Sequence, residues 1–221
     1  MSSFISIINE AIKKENEKPH KSSGKWNPSS FGFCYRRQYW KRLGETETNP
    51  PDERTLRVFK VGNIFEDWVG SLIVAQNPQI KRQVLVEEED VKGFADFVNI
   101  EEVADTKTMN SSGFHYLRKK DCDIRVEKEN NWLQVMYYVK KLLKKSGRLV
   151  FISKDDLCIE EYVQPMNQYW EDKLRIELET LRGYWTRKEL PKAQPRVYKH
   201  KDGSYGECEY CQFSVNGKCK Q

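Results

Sequence analysis

The stretch GFADFVNIEEVADTK, residues 93–107, decides how this chain reads. It divides into two strand-forming segments, Val91 to Ile100 and Glu102 to Thr108, which meet in a hairpin. Residues two apart in a strand share a face, so Asp105 and Lys107 project together, and the adjacent hairpin strand brings Asp96 alongside them. Two carboxylates and a lysine then converge. Such a group suits Mg²⁺ or Mn²⁺, which take carboxylate oxygens and water and still accept a phosphate oxygen. The lysine is suited to orienting a water or neutralising a scissile phosphate.

Working outward, the acidic turn Glu88 to Asp90 links the hairpin to a further strand candidate at Arg82 to Glu87. Upstream, Val58, Val61, Phe65, Trp68 and Leu72 recur at three- and four-residue spacing, predicting a long helix over Thr55 to about Ala75 with one apolar stripe. Gly62 and Glu66 stand at i and i+4 beside that stripe, which makes Glu66 a candidate third carboxylate. Downstream, Glu127 to Lys145 reads as a helix with Trp132, Val135, Val139 and Leu142 on one face. Gln134 and Tyr138 share an offset face and could hydrogen-bond a phosphate or a bound water without adding charge. Strands at Arg148 to Ser153 and Leu157 to Val163 and a helix at Asn167 to Lys188 complete the pattern. Helices around a short mixed central sheet make the expected class α/β.

At 221 residues the chain suits one sizeable core with a small appended subdomain. With 38% hydrophobic and 32% charged residues and no long apolar run, a soluble chain without membrane spans is expected. The amphipathic start, Met1 to Pro19, does not resemble a signal peptide, so a cytoplasmic location is expected. The excess of 38 Lys+Arg over 33 Asp+Glu is mild, and position matters more than total.

Six cysteines in a reducing compartment point to metal or redox chemistry rather than disulfides. Cys208, Cys211 and Cys219 cluster in a tail without apolar periodicity, and Cys34 is the obvious fourth thiolate. Spacing alone leaves zinc and iron open, because both accept four thiolates. Cys122 and Cys158 read as free thiols. The helix after Cys34, YRRQYWKRL, mixes Arg36, Arg37, Lys41 and Arg42 with Tyr39 and Trp40, which suits a single strand: charge for phosphates and rings for bases. A charged helix with a buried aromatic face is the alternative.

In the order Gly-x-x-x-Glu (62–66), Gly-x-x-Asp (93–96), Asp-x-Lys (105–107) and Gln-x-x-x-Tyr (134–138), these elements resemble the PD-(D/E)xK nuclease superfamily and its RecB-like exonuclease branch. The resemblance implies metal ligation by Glu66, Asp96 and Asp105, water or phosphate positioning by Lys107, and site support from Gln134 and Tyr138. At position 66 this chain carries Glu where many such members carry His, which keeps a ligand. One upstream cysteine and three downstream look like the iron-sulfur group of RecB-like nucleases, the CRISPR-associated Cas-four exonucleases and the AddB nuclease domain. That implies a [4Fe-4S] cluster on Cys34, Cys208, Cys211 and Cys219. It further implies a single nuclease domain over 1–221, in which 31–44 and 193–221 form an iron-sulfur subdomain. The expected activity is Mg²⁺- or Mn²⁺-dependent exonucleolytic hydrolysis of DNA ends or single strands. Expected partners are DNA and either a homo-oligomer or proteins of CRISPR adaptation or recombination; a viral relative would work in the host cytoplasm. Two rivals remain, a zinc-containing non-enzymatic nucleic-acid-binding protein and an endonuclease of the same superfamily.

Overall fold

The computed structural model of the chain describes residues 3–16, 22–194, 208, 210–214 and 219. In chain order they form α1 (Phe4–Asn16), a short 3-10 turn (Pro28–Ser30), α2 (Tyr35–Leu43), α3 (Glu53–Gln76), β1 (Lys81–Glu87), β2 (Lys92–Val98) and β3 (Glu102–Met109). Then follow α4 (Ser111–Leu117), α5 (Ile124–Glu127), α6 (Glu129–Lys141), β4 (Ser146–Ser153), β5 (Ile159–Pro165) and α7 (Gln168–Thr186). The strands make one five-stranded sheet in chain order, antiparallel except for the parallel β3–β4 pair. A parallel step needs a crossover, and α4 to α6 supply it. The fold is α/β with a mixed sheet flanked by helices, as expected.

Two compact units make up the chain. One comprises Met1–Gly24, Cys34–Ile64 and Glu189–Gln221; the other comprises Lys25–Phe33 and Phe65–Lys188. In the first, α1 is tied to the start of α3 by Lys13–Glu53 at 2.6 Å, Lys60–Glu15 at 2.9 Å and the Arg57–Asn9 hydrogen bond. Trp40 of α2 packs on Phe213 and Cys211, with the Trp40 and Phe213 rings 5.2 Å apart. The backbone N–H groups of Thr48 and Asn49 both donate to the Gln212 carbonyl at 2.9 Å, which anchors this short piece of tail.

The second unit is built on α6. Its sequence pattern predicts one buried face, yet every residue from Trp132 to Val139 is buried. The reason is tertiary: α6 lies against β3, β4, α7 and the 3-10 turn together. Trp132 meets Trp170 of α7 at 5.9 Å, and Tyr137 meets Phe31 edge-on at 5.4 Å. Gly147 of β4 lets the helix approach, since a methyl there would lie 2.5 Å from Val135 Cγ1.

Several boundaries differ from the expectation. α6 ends at Lys141 rather than Lys145, because Leu143 turns left-handed at φ +53° and Lys145 N–H is bonded to the Glu101 carbonyl at 2.7 Å, leading into β4. β2 stops at Val98 because the Asn99 side chain accepts the N–H groups of Glu101 and Glu102 at 2.8 and 2.7 Å and makes the hairpin turn. α4 and α5, of seven and four residues, are too short to display a helical period and were not read from the sequence. The expected loop His20 to Ser30 is irregular over its described residues apart from the 3-10 turn, and it also carries buried Trp26, bridged to Val91; residues 20 and 21 lie outside the described residues. The long helix α3 forms as expected, but Val58, Val61, Trp68 and Leu72 of its stripe are exposed. Periodicity specifies a face, not what covers it. Among the described residues no helix is long and apolar enough to cross a membrane. Much of the periodicity-free tail, 195–207, 209, 215–218 and 220–221, lies outside the described residues.

The close contact at Gly147 sets the first expected outcome. Gly147→Ala should destabilise the chain by about 1–3 kcal/mol through overpacking against Val135 and Met136. Urea unfolding should show a lower midpoint with an unchanged slope.

Candidate active site

The β2–β3 ladder pairs Val98 with Val103 and Phe97 with Ala104. The next positions across are Asp96 and Asp105, and no further pair joins the strands. The two aspartates therefore face each other where the hairpin ladder ends. Lys107, two residues on, places Nζ 2.8 Å from Asp105 Oδ1 and 2.7 Å from Oδ2. The Thr106 N–H lies 3.4 Å from Asp96 Oδ2. The convergence read from the strand pattern is present.

Glu66 joins them from α3. A side chain that the sequence reading missed connects it to the cluster: Gln83 of β1 donates its amide to Glu66 Oε1 at 2.8 Å and to Asp96 Oδ1 at 3.3 Å. Its neighbours pair as Arg82 with Phe97 and Val84 with Ala95, so Gln83 stands opposite Asp96. Gln83 has φ +50°, a left-handed conformation that costs a non-glycine residue roughly 1–2 kcal/mol. Leu143, Leu157 and Lys188 share that sign but lie outside helices and strands; Gln83 is inside one. Nothing in a lone glutamine within an alternating strand signals this from sequence.

Gln134 and Tyr138 of α6 also reach the cluster, though both are buried rather than surface-facing, at 7% and 2% exposure. Gln134 donates to Asp105 Oδ1 at 3.1 Å. Tyr138 sets its hydroxyl against β2: the Phe94 backbone amide bonds it, and a methyl at Gly93 would collide with it. The glycine of Gly-x-x-Asp and the tyrosine of Gln-x-x-x-Tyr are thus one steric pair. The tyrosine positions β2 and does not reach solvent. The close approach on α3 lies at Gly70, where a Cβ would enter the Arg82 guanidinium.

The electrostatics follow from three carboxylates sharing one ammonium. Burial, then the charge of Asp105, push Asp96 up to about 8, against the pull of Lys107. Glu66 is raised by burial and by Asp105 and Asp67. For Lys107 burial is the largest influence and acts downward, but Asp105, Asp96 and Glu66 together outweigh it and hold the ammonium charged. Burial, then Asp105 and Asp96, raise Tyr138 above the usual phenol range. An excess of negative charge at hard oxygen donors suits a divalent cation. Asp105 Oδ2 is consistent with the fit: it is a buried carboxylate oxygen that pairs with the Lys107 ammonium at 2.7 Å and keeps a further lone pair for a cation. The three carboxylates are not drawn to ligand spacing, and among the described residues no group of three or more His, Cys, Asp or Glu side chains is.

In the first unit, Cys34, Cys208, Cys211 and Cys219 line one cavity of about 90 Å³ together with Arg36, Arg37 and Trp40. Arg36 Nη1 lies 4.0 Å from Cys219 Sγ. Burial raises the Cys211 thiol, with Arg37 opposing. The expectation that α2 offers rings to a single strand is corrected: Tyr39 and Trp40 are buried. Its charges are also engaged, Arg36 Nε on the Pro191 carbonyl at 2.7 Å and Arg42 Nε on the Gly24 carbonyl at 2.8 Å, while burial lowers the Lys41 pKa. The charged helix with an inward aromatic face is what the structure contains.

No family model and no curated protein matches the chain. Its fold is similar to that of several solved structures. SSO0001 superposes with a TM-score of 0.58 at 18% identity, covering 100% of this chain and 99% of that one. An alkaline exonuclease, LHK-Exo, from Laribacter hongkongensis gives 0.52 at 14% identity over 75% of this chain and 93% of its own, and its complex with dAMP matches over the same extent. A phage related exonuclease from Haemophilus somnus gives 0.52 at 16% identity, covering 69% and 79%. At these identities the likeness establishes a shared fold, that of the alkaline exonucleases.

The raised Asp96 carboxyl gives a signed expectation for the protein in EDTA. Its folded pKa near 8 exceeds the ordinary 3.8, so ionisation favours the unfolded chain, and its contribution to stability falls as pH rises from about 4 to 8. Asp96→Asn should remove that loss. Thermal melts across this range should converge for the two proteins near pH 4 and separate towards pH 8, with the variant the more stable.

Proposed function

We propose that this chain is a divalent-metal-dependent DNA exonuclease of the PD-(D/E)xK superfamily, hydrolysing phosphodiester bonds at DNA ends or in single strands. The observation that carries the reading is the meeting of Asp96, Asp105 and Lys107 at the end of the β2–β3 ladder, with Glu66 and Gln134 brought in from two helices. The alkaline exonuclease fold supports the same reaction class, and the LHK-Exo complex with dAMP supports a DNA substrate. Glu66, Asp96 and Asp105 would hold Mg²⁺ or Mn²⁺. Such an ion supplies Lewis acidity, making water a stronger acid and offsetting charge on the phosphate. Gln134 and Lys107 fix Asp105 through Oδ1, and Oδ2, paired with the same ammonium, keeps a lone pair for the ion. Lys107 sets a positive charge where the scissile phosphate gains negative charge, or orients the water that attacks it. Tyr138 and Gly93 hold β2, and so Asp96, in register.

The reading extends to a structural [4Fe-4S] cluster on Cys34, Cys208, Cys211 and Cys219. What supports it is that these four thiols line one cavity beside two arginines, whose charge suits thiolates or an anionic cluster. Ligation would fix a tail that has no apolar period of its own.

Two outcomes test these readings. Asp105→Asn and Lys107→Ala should each lower the Mg²⁺-dependent rate on linear DNA by at least about a hundredfold while DNA affinity in EDTA changes little. Closed circular duplex should resist the wild type, and its cleavage would favour the endonuclease rival. For the cluster, anaerobically purified protein should show broad iron-sulfur absorption that Cys34→Ala and Cys208→Ala abolish and Cys122→Ala and Cys158→Ala retain. A colourless protein carrying zinc would replace the iron reading.

A further inference from the structure

We infer that Gln83 is a positioning residue of the proposed active site, its side-chain amide holding Glu66 and Asp96 beside each other so that a divalent cation can draw both in. The inference rests on the metal-dependent reading above. Two independent observations carry it. First, one neutral amide donates to two carboxylates that belong to different elements, Glu66 on α3 and Asp96 on β2, at 2.8 and 3.3 Å. Second, the backbone that presents it is left-handed in mid-strand, at φ +50°. Glycine or asparagine takes that conformation with least strain, yet the chain carries a long amide there. Strain of this kind persists where surrounding contacts hold it, and it clusters at functional sites.

The chemistry of the group explains the choice. An amide lends two N–H donors without charge, and each carboxylate keeps further lone pairs for a cation. A lysine or arginine at position 83 would hold the same oxygens but cancel the negative charge that attracts the ion. The adjacent arginine is drawn elsewhere: Arg82 pairs with Asp67 at 3.1 Å and lies over the Phe97 ring, with Gly70 leaving room for it. Donors that orient ligating carboxylates typically change metal affinity 10- to 100-fold when removed.

The test is Mn²⁺ affinity of the intact protein, read from the electron paramagnetic resonance of free Mn²⁺, with melting temperatures in EDTA. Gln83→Gly removes the amide and suits φ +50°, so its melting temperature should equal or exceed that of the wild type while Kd rises about tenfold. Gln83→Leu should weaken Mn²⁺ to a similar extent. Combining Gln83→Gly with Glu66→Gln should weaken binding by less than the product of the two single effects, because the amide acts through that carboxylate. Kd within twofold of wild type for Gln83→Gly, with Glu66→Gln and Asp105→Asn both clearly weakened, overturns the inference and leaves the metal-dependent reading intact. If wild type binds no Mn²⁺, or if Glu66→Gln and Asp105→Asn bind as well as wild type, both fall.

Discussion

Like charges crowded at the end of one hairpin ladder are the constraint around which the second unit is arranged. Asp96 and Asp105 face each other where β2 and β3 cease to pair, Glu66 approaches from α3, and one ammonium, Lys107, stands among the three. Asp105 is buried and Asp96 and Glu66 are half-buried, and carboxylates withdrawn from water repel more strongly because less water screens them. Such a group keeps its shape only if each member is held from outside. Gln83, Thr106 N–H and Gln134 supply those holds, one from β1, one from β3 and one from α6.

Those holds require a frame that does not yield, and α6 provides it. Eight consecutive buried residues, a T-shaped Phe31–Tyr137 contact and the Trp132–Trp170 pair lock the helix against sheet and α7. Gly147 and Gly93 allow two close approaches of α6 to the sheet, one for packing and one for the Tyr138 hydroxyl. The many ion pairs at the surface add little by comparison, since exposed pairs are worth about 0–1 kcal/mol each. Packing thus fixes the position of Gln134, and Gln134 in turn fixes Asp105.

The first unit follows a different logic. α2 turns its rings inward, sets one nitrogen each of Arg36 and Arg42 on backbone carbonyls, and forms one wall of the cysteine-lined cavity. A tail segment without apolar periodicity gains order here from Trp40, Phe213 and a few backbone bonds. Ligation at the thiols would add to that order.

The strands, the hairpin, the long helices and the carboxylate-lysine convergence were legible in the sequence because they rest on periodicity; the parallel β3–β4 pair was not. A period of two places Asp105 and Lys107 on one face, a hairpin brings in Asp96, and i to i+4 spacing puts Gln134 and Tyr138 together. Other features depend on what packs against what. That α6 is buried all round, that the α3 stripe is exposed, that Tyr39 faces inward and that Tyr138 seats on Gly93 are set by neighbours remote in the chain. Gln83 shows the limit most clearly. Its residue type is unremarkable in a strand, and its left-handed backbone and two carboxylate partners exist only once α3, β1 and β2 have come together. Local pattern determined which groups carry the chemistry; long-range packing decided how they are held, because the energy of a buried charge depends on everything around it.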